Sequence, residues 1–216
     1  GACEFHCPAR PISAITVVLN RLIQYDTLFN ALQYMGFALN GRPYMGVGRN
    51  LMYRKSLFMK HHGFAGVLDQ PSGDDDLFVN RYATAANTAV AVQKDSVTWS
   101  VPKKSLREWF EQKHRHLSVS GLYSFKSKWS ITLEPVSRAL WYGMCIVAVV
   151  WGVYWPVVVS LMLIRFITRW TLLNLGAKKM QAPAWGLDII IYDIVLPLIT
   201  LFMLMRKKPQ TWKNKN

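Results

Sequence analysis

The spacing of apolar positions divides the chain into an amphipathic part and a strongly apolar one. Over residues 19–39, Leu22, Tyr25, Leu28, Phe29, Leu32, Met35 and Leu39 recur at helical spacing, which predicts one amphipathic helix ended by Asn40-Gly41 and Pro43. Residues 44–54 hold Gly46-Val47-Gly48-Arg49-Asn50 and Arg54. They read either as a glycine-bulged strand with solvated arginines or as a surface where glycine lets a bulky ligand approach the backbone. Ser56 and Gly63 bracket a short helix that ends in His61 and His62. Residues 89–92 and 96–101 read as short strands, stopped at Pro102. Ser105 and Glu108 form a capping box that opens a helix carrying Trp109, Gln112, Lys113, His114, Arg115 and His116. Trp109, Gln112, Arg115 and His116 fall on one face of it.

The second part is of another kind. Residues 139–164 are 26 positions without a charge, and residues 187–205 are 19 positions with only Asp188 and Asp193 charged. Both runs meet the length of a membrane span. Basic residues stand on both sides of the first run, Lys126, Lys128 and Arg138 before it and Arg165, Arg169, Lys178 and Lys179 after it. Because such residues favour the cytoplasm, residues 139–170 read as a tight hairpin broken near residues 152–156, with arms short for a bilayer. The last apolar segment would send Arg206, Lys207 and Lys208 outside unless it is re-entrant, so the expectation is two or three hydrophobic helices.

Composition changes the picture once. A net charge of +14 in a soluble chain would point to nucleic acid. Beside these apolar runs it is explained by cytoplasmic flanks and anionic membrane lipids, and no nucleic-acid partner is expected. The 3 cysteines cannot all pair and are expected as free thiols. Cys3, His6 and Cys7 lack an evident fourth ligand for a metal clip.

Candidate chemistry centres on residues 71–80, where Ser72-Gly73-Asp74-Asp75-Asp76 leads into a run free of Gly and Pro. Ser72 and Asp75 have capping-box spacing, which places the three acids at a helix N-terminus. The helix dipole favours their charged form and their mutual repulsion opposes it. The alternatives are a solvated cap and a catalytic base or metal site.

The glycine-rich stretch, Gly73-Asp74-Asp75 and Gln112-Lys113-His114-Arg115 stand in that order, followed by apolar helices. As a set they resemble the carboxy-terminal half of a membrane-bound family 2 glycosyltransferase, over residue 19 to the end of the chain. The family has a Gly-Asp-Asp or Thr-Glu-Asp motif and a Gln-x-x-Arg-Trp motif. His116 replaces that Trp, a variant associated with non-processive relatives of the cellulose and hyaluronan synthases. The resemblance implies an α/β fold, a partial GT-A, Rossmann-like domain, over residues 1–136. A membrane region over 137–216 with a basic tail follows. It implies inverting transfer of a sugar from a nucleotide-sugar donor to a hydroxyl of a lipid or glycan acceptor. Asp75 would be the base and Asp74 its partner, with Gly48, Arg49, Asn50, Gln112, Arg115 and His116 binding substrate and Asp76 only capping the helix. A divalent metal, Mg or Mn, would be held mainly by an Asp-x-Asp motif of a nucleotide-binding half. That motif is not found in residues 1–136, so the expectation is a fragment inactive alone. The implied location is a cell membrane, bacterial inner membrane, with the catalytic part facing the cytoplasm. Against this stand a basic membrane-anchored subunit, whose acidic turn and basic helix pair with each other, and a metal-dependent phosphotransferase.

Overall fold

The computed structural model describes residues 2–3, 14–68, 70 and 72–205. The proposed clip at His6 and Cys7 and the tail at Arg206, Lys207 and Lys208 lie outside the described residues.

Seven α-helices account for most of the described chain: α1 (Ala14–Leu39), α2 (Lys55–Lys60), α3 (Asp74–Tyr82), α4 (Leu106–Ser120), α5 (Phe125–Val150), α6 (Trp155–Lys179) and α7 (Asp188–Met205). Among the described residues the only β structure is a parallel bridge of two residues from each strand, β1 (Ala2–Cys3) against β2 (Thr98–Trp99). The expectation of an α/β, Rossmann-like domain is therefore incorrect. Residues 89–92 form no strand, and residues 96–101 give only Thr98–Trp99. A strand needs a ladder partner for its backbone groups. Here Val90, Val92 and Val97 pack on a helical core instead.

α1 is the centre of that core. Leu19, Leu22, Ile23, Tyr25, Leu28, Ala31, Tyr34 and Met35 are buried along it, more of the helix circumference than one amphipathic stripe. The reason is that α1 has neighbours on several sides, α6 and α7 among them. At the crossing with α6, a Cβ on Gly176 would come within 2.5 Å of Leu32, so the small residue sets how closely the two helices approach. Tyr25 meets Trp185 edge-on with ring centroids 5.6 Å apart, and Arg21 lies over Trp185 while pairing with Asp188 at 3.0 Å. These contacts fix the start of α7 against the first turns of α1.

α5, α6 and α7 are long and apolar enough to cross a membrane. The hairpin expected at residues 152–156 is present, with α5 ending at Val150, α6 starting at Trp155 and Gly152 at φ +71° in the turn. Pro156 sits in the first turn of α6, where its missing N–H costs nothing.

Candidate functional site

Gly73, at φ +88°, forms the N-cap of α3. That conformation suits glycine, and a Cβ there would lie 2.4 Å from Val119 on α4. The turn is thus pressed against α4 through a backbone contact that no other residue permits. The three acids do occupy the first turn of α3. Ser72 is not the cap, however, since its hydroxyl is buried with no hydrogen-bond partner. Ser56 is likewise not a cap, because α2 starts at Lys55 without a side-chain cap. Ser105 does cap α4, its Oγ accepting from the Glu108 N–H at 3.3 Å.

The acids point three ways. Asp74 is exposed. Asp75 accepts the Gly48 N–H on Oδ2, and accepts the Asp76 N–H on Oδ1 at 2.9 Å. Asp76 turns inward, where its carboxylate is served by the Tyr123 hydroxyl and the Gly46 N–H. Burial first, and then the Asp75 charge, raise its pKa from 3.8 to about 7. A role for Asp76 limited to capping does not describe this geometry.

Gly48 is what allows Asp75 its place, because a Cβ there would fall 2.7 Å from Asp75 Oδ2. Arg49 donates to Ser100 Oγ. Asn50 donates to the Ser96 carbonyl at 2.7 Å, so its amide is engaged in holding the following loop. His116 is exposed at the surface of α4. Its pKa is lowered by the surrounding protein first and by the Arg115 and Arg49 charges, with Asp75 and Asp26 acting in the opposite sense. These mutual influences place Gly48, Arg49, Asp75 and His116 in one neighbourhood. Arg115 is exposed and contributes by its charge. Gln112 is half-buried, and its Oε1 is buried without a hydrogen-bond partner. No ion pair joins the acidic turn to α4 among the described residues. Lys113 pairs with Asp26 at 2.6 Å, and Arg107 with Glu111.

Sequence reasoning missed three positioning residues. Asp26 on α1 holds Lys113 and Asn30, the latter at 2.9 Å, which fixes the rotation of α4 about its axis. Asn80 on α3 donates to the Tyr44 carbonyl at 2.8 Å and to Ser127 Oγ at 3.1 Å, and accepts from the Ser124 N–H at 2.8 Å. It ties the glycine-rich stretch, α3 and the start of α5 together. Tyr123, next to a glycine-leucine pair, carried no pattern that marked it as the partner of Asp76. His61, read as a polar helix end, stacks on Tyr82 with centroids 3.9 Å apart.

Among the described residues no three His, Cys, Asp or Glu side chains gather to hold a metal ion. Comparison with family models, curated proteins and solved structures finds no match. The class defined by the fold is a mostly helical chain with three helices able to cross a membrane.

Two outcomes follow from this geometry. Gly48→Ala forces Asp75 to swing away, and should remove the Gly48–Asp75 hydrogen bond at a cost of about 1–2 kcal/mol to local order. Amide exchange at residues 46–50 and 74–77 should then accelerate while α1 stays protected. Unchanged exchange would show that the close approach is not needed. Asp76 gives a pH dependence. Its folded-state pKa lies above its unfolded value, so the folded state holds the proton more tightly and stability is greatest below about pH 4 for this group alone. That contribution declines as pH rises from about 4 to about 7. Asp76→Asn should remove this part of the slope in Tm against pH. A slope unchanged in the variant would assign it to other groups.

Proposed function

We propose that the chain carries acceptor-side machinery of an inverting glycosyltransferase at a membrane, moving a sugar from a nucleotide-sugar donor to an acceptor hydroxyl. The observation that supports this most is the setting of Asp75. It stands in the first turn of a helix, with one hydrogen bond to each carboxylate oxygen, and its charge acts on His116, as do those of Arg115 and Arg49. Each oxygen keeps a further lone-pair direction, so the group can take a proton from an alcohol while its orientation stays fixed.

The chemistry follows from what an alcohol needs. A neutral hydroxyl is a weak nucleophile, and a base within hydrogen-bond reach removes its proton as it attacks the anomeric carbon. The C–O bond to the acceptor forms as the bond to the nucleoside diphosphate breaks, and attack from the opposite face inverts the carbon. The negative charge that builds on the leaving diphosphate is met by Arg115 and Arg49, whose planar forks match phosphate oxygens. A donor-sugar or acceptor hydroxyl is positioned by Gln112. The acceptor, a lipid or a glycan at the membrane surface, is brought to this level by α5–α7.

The test is incorporation of label from a panel of radiolabelled nucleotide sugars into lipid or glycan, in membranes of cells producing the protein as encoded. Incorporation above that of cells lacking it is the expected result. None across the panel would remove the enzymatic reading. In the competing reading, a basic anchor whose acidic turn and basic helix pair, Arg107 and Lys113 of α4 are already engaged with Glu111 and Asp26.

A further inference from the structure

Inside the apolar helices lies a layer of charge that sugar transfer does not use. Arg138 and Glu134 on α5, Arg165 and Arg169 on α6 and Asp193 on α7 form one network. Asp193 pairs with Arg138 and Arg165, both at 3.2 Å, and with Arg169 at 3.0 Å. Glu134 pairs with Arg138 and with Arg169, the second at 3.4 Å, and Tyr142 donates to Asp193 at 2.6 Å. Three guanidiniums face two carboxylates, so among the described residues this layer has one positive charge in excess.

Two of these arginines line a cleft. This open cleft of about 220 Å³ is lined by Trp141, Arg165, Thr168 and Arg169. Beside it, Arg165 Nε and Trp141 Nε1 are buried without a hydrogen-bond partner. Buried donors in apolar surroundings normally find an acceptor, and leaving them unpaired is costly. Two guanidiniums lining one cleft, in a layer with a net positive charge, describe an anion site suited to phosphate.

Its level along the helices indicates where the anion comes from. On the far side of the charged layer α5 continues uncharged over residues 139–150, α6 over 155–164 and α7 over 194–205. Ten to twelve residues at 1.5 Å each make an apolar slab about 15–18 Å deep, closed at the hairpin tip by Trp151, Tyr154 and Trp155. Leu140, Met144, Leu161 and Ile164, each within about one helical turn of the cleft-lining Trp141 or Arg165, are exposed. A molecule with its phosphate at the arginines and acyl chains along these residues matches both surfaces.

We infer that the cleft between α5 and α6 binds the phosphate of an anionic membrane lipid, which balances the third arginine of the Arg138–Arg165–Arg169 layer. This does not depend on the glycosyltransferase reading. Full-length protein in phosphatidylcholine nanodiscs containing a minor fraction of phosphatidylglycerol is released into the gas phase, and retained lipid is counted by native mass spectrometry. One phosphatidylglycerol should stay bound to the wild type. Arg165→Gln should lower its retention at least about tenfold, as expected for loss of a hydrogen bond between charged groups. Trp141→Phe leaves the ion network intact and keeps the proposal testable if Arg165→Gln misfolds; it should also reduce retention. Arg107→Gln, on the exposed face of α4, should not. In a second arm, lipid-free detergent-solubilised protein is titrated with inorganic phosphate. Equal retention by wild type, Arg165→Gln and Trp141→Phe would overturn the site. Stabilisation by inorganic phosphate with no retained lipid would overturn the lipid assignment and leave a site for a soluble anion.

Discussion

Asp75→Asn is expected to lower sugar transfer by about 10²–10⁴-fold, the usual worth of a positioned general base, while donor affinity changes little. Asn keeps the shape of the side chain, and its Oδ1 can still accept the Gly48 N–H that Asp75 holds. What it loses is the ability to take a proton. An interaction made only in the transition state lowers kcat and kcat/KM together, whereas loss of a binding contact raises KM alone. Initial rates across donor concentrations in membranes therefore separate a base from a mere ligand contact. Asp74 is exposed and makes none of these bonds, so Asp74→Asn should be the milder of the two. A variant Asp75→Asn with wild-type kcat would remove Asp75 from the chemistry. If Asp76→Asn were then inactive, the base would be the inward carboxyl that Tyr123 and Gly46 hold.

The parts of this structure that were legible in the sequence are those set by local physics. Helical spacing of Leu22, Tyr25, Leu28 and Met35 gave α1, although the helix starts earlier, at Ala14. The uncharged run over 139–164, with Gly152 and Pro156 inside it, gave the α5–α6 hairpin. Capping-box spacing of Ser72 and Asp75 located the three acids at a helix N-terminus, although Gly73 and not Ser72 is the cap, and the Ser105 cap followed from spacing alone. The α/β expectation failed because it was carried by motif order and not by pattern. The runs at 89–92 and 96–101 are too short to hold a sheet without partners, and the helical core offers Val90, Val92 and Val97 an apolar surface. Long-range pairings were invisible. Nothing local says that Asp26 meets Lys113 across 87 positions, or that Asn80 ties Tyr44 to Ser124. Asp193, one of two charges in the last apolar run, proves to be the point where α5, α6 and α7 are joined.

That junction carries the largest expected effect on stability. Asp193 and Arg138 have side chains only 4% and 6% exposed, in helices whose other faces are apolar. Removing Asp193 leaves Arg138, Arg165 and Arg169 facing one another with Glu134 as the one remaining carboxylate. An uncompensated buried charge typically costs about 3–5 kcal/mol. Asp193→Ala should therefore lower the thermal midpoint of the solubilised protein by many degrees, or prevent its insertion. Asp193→Asn keeps acceptors for Tyr142 and one arginine but not the charge, and should fall between Asp193→Ala and wild type. The double variant Asp193→Leu/Arg138→Met distinguishes attraction from mere occupancy. If the pair acts by cancelling charge, the double variant should be more stable than Asp193→Leu alone, because one of the stranded cations is gone. If the double loss equals the sum of the two single losses, the residues act independently, and α5 and α7 are held together by packing around Phe29 and Tyr25 instead.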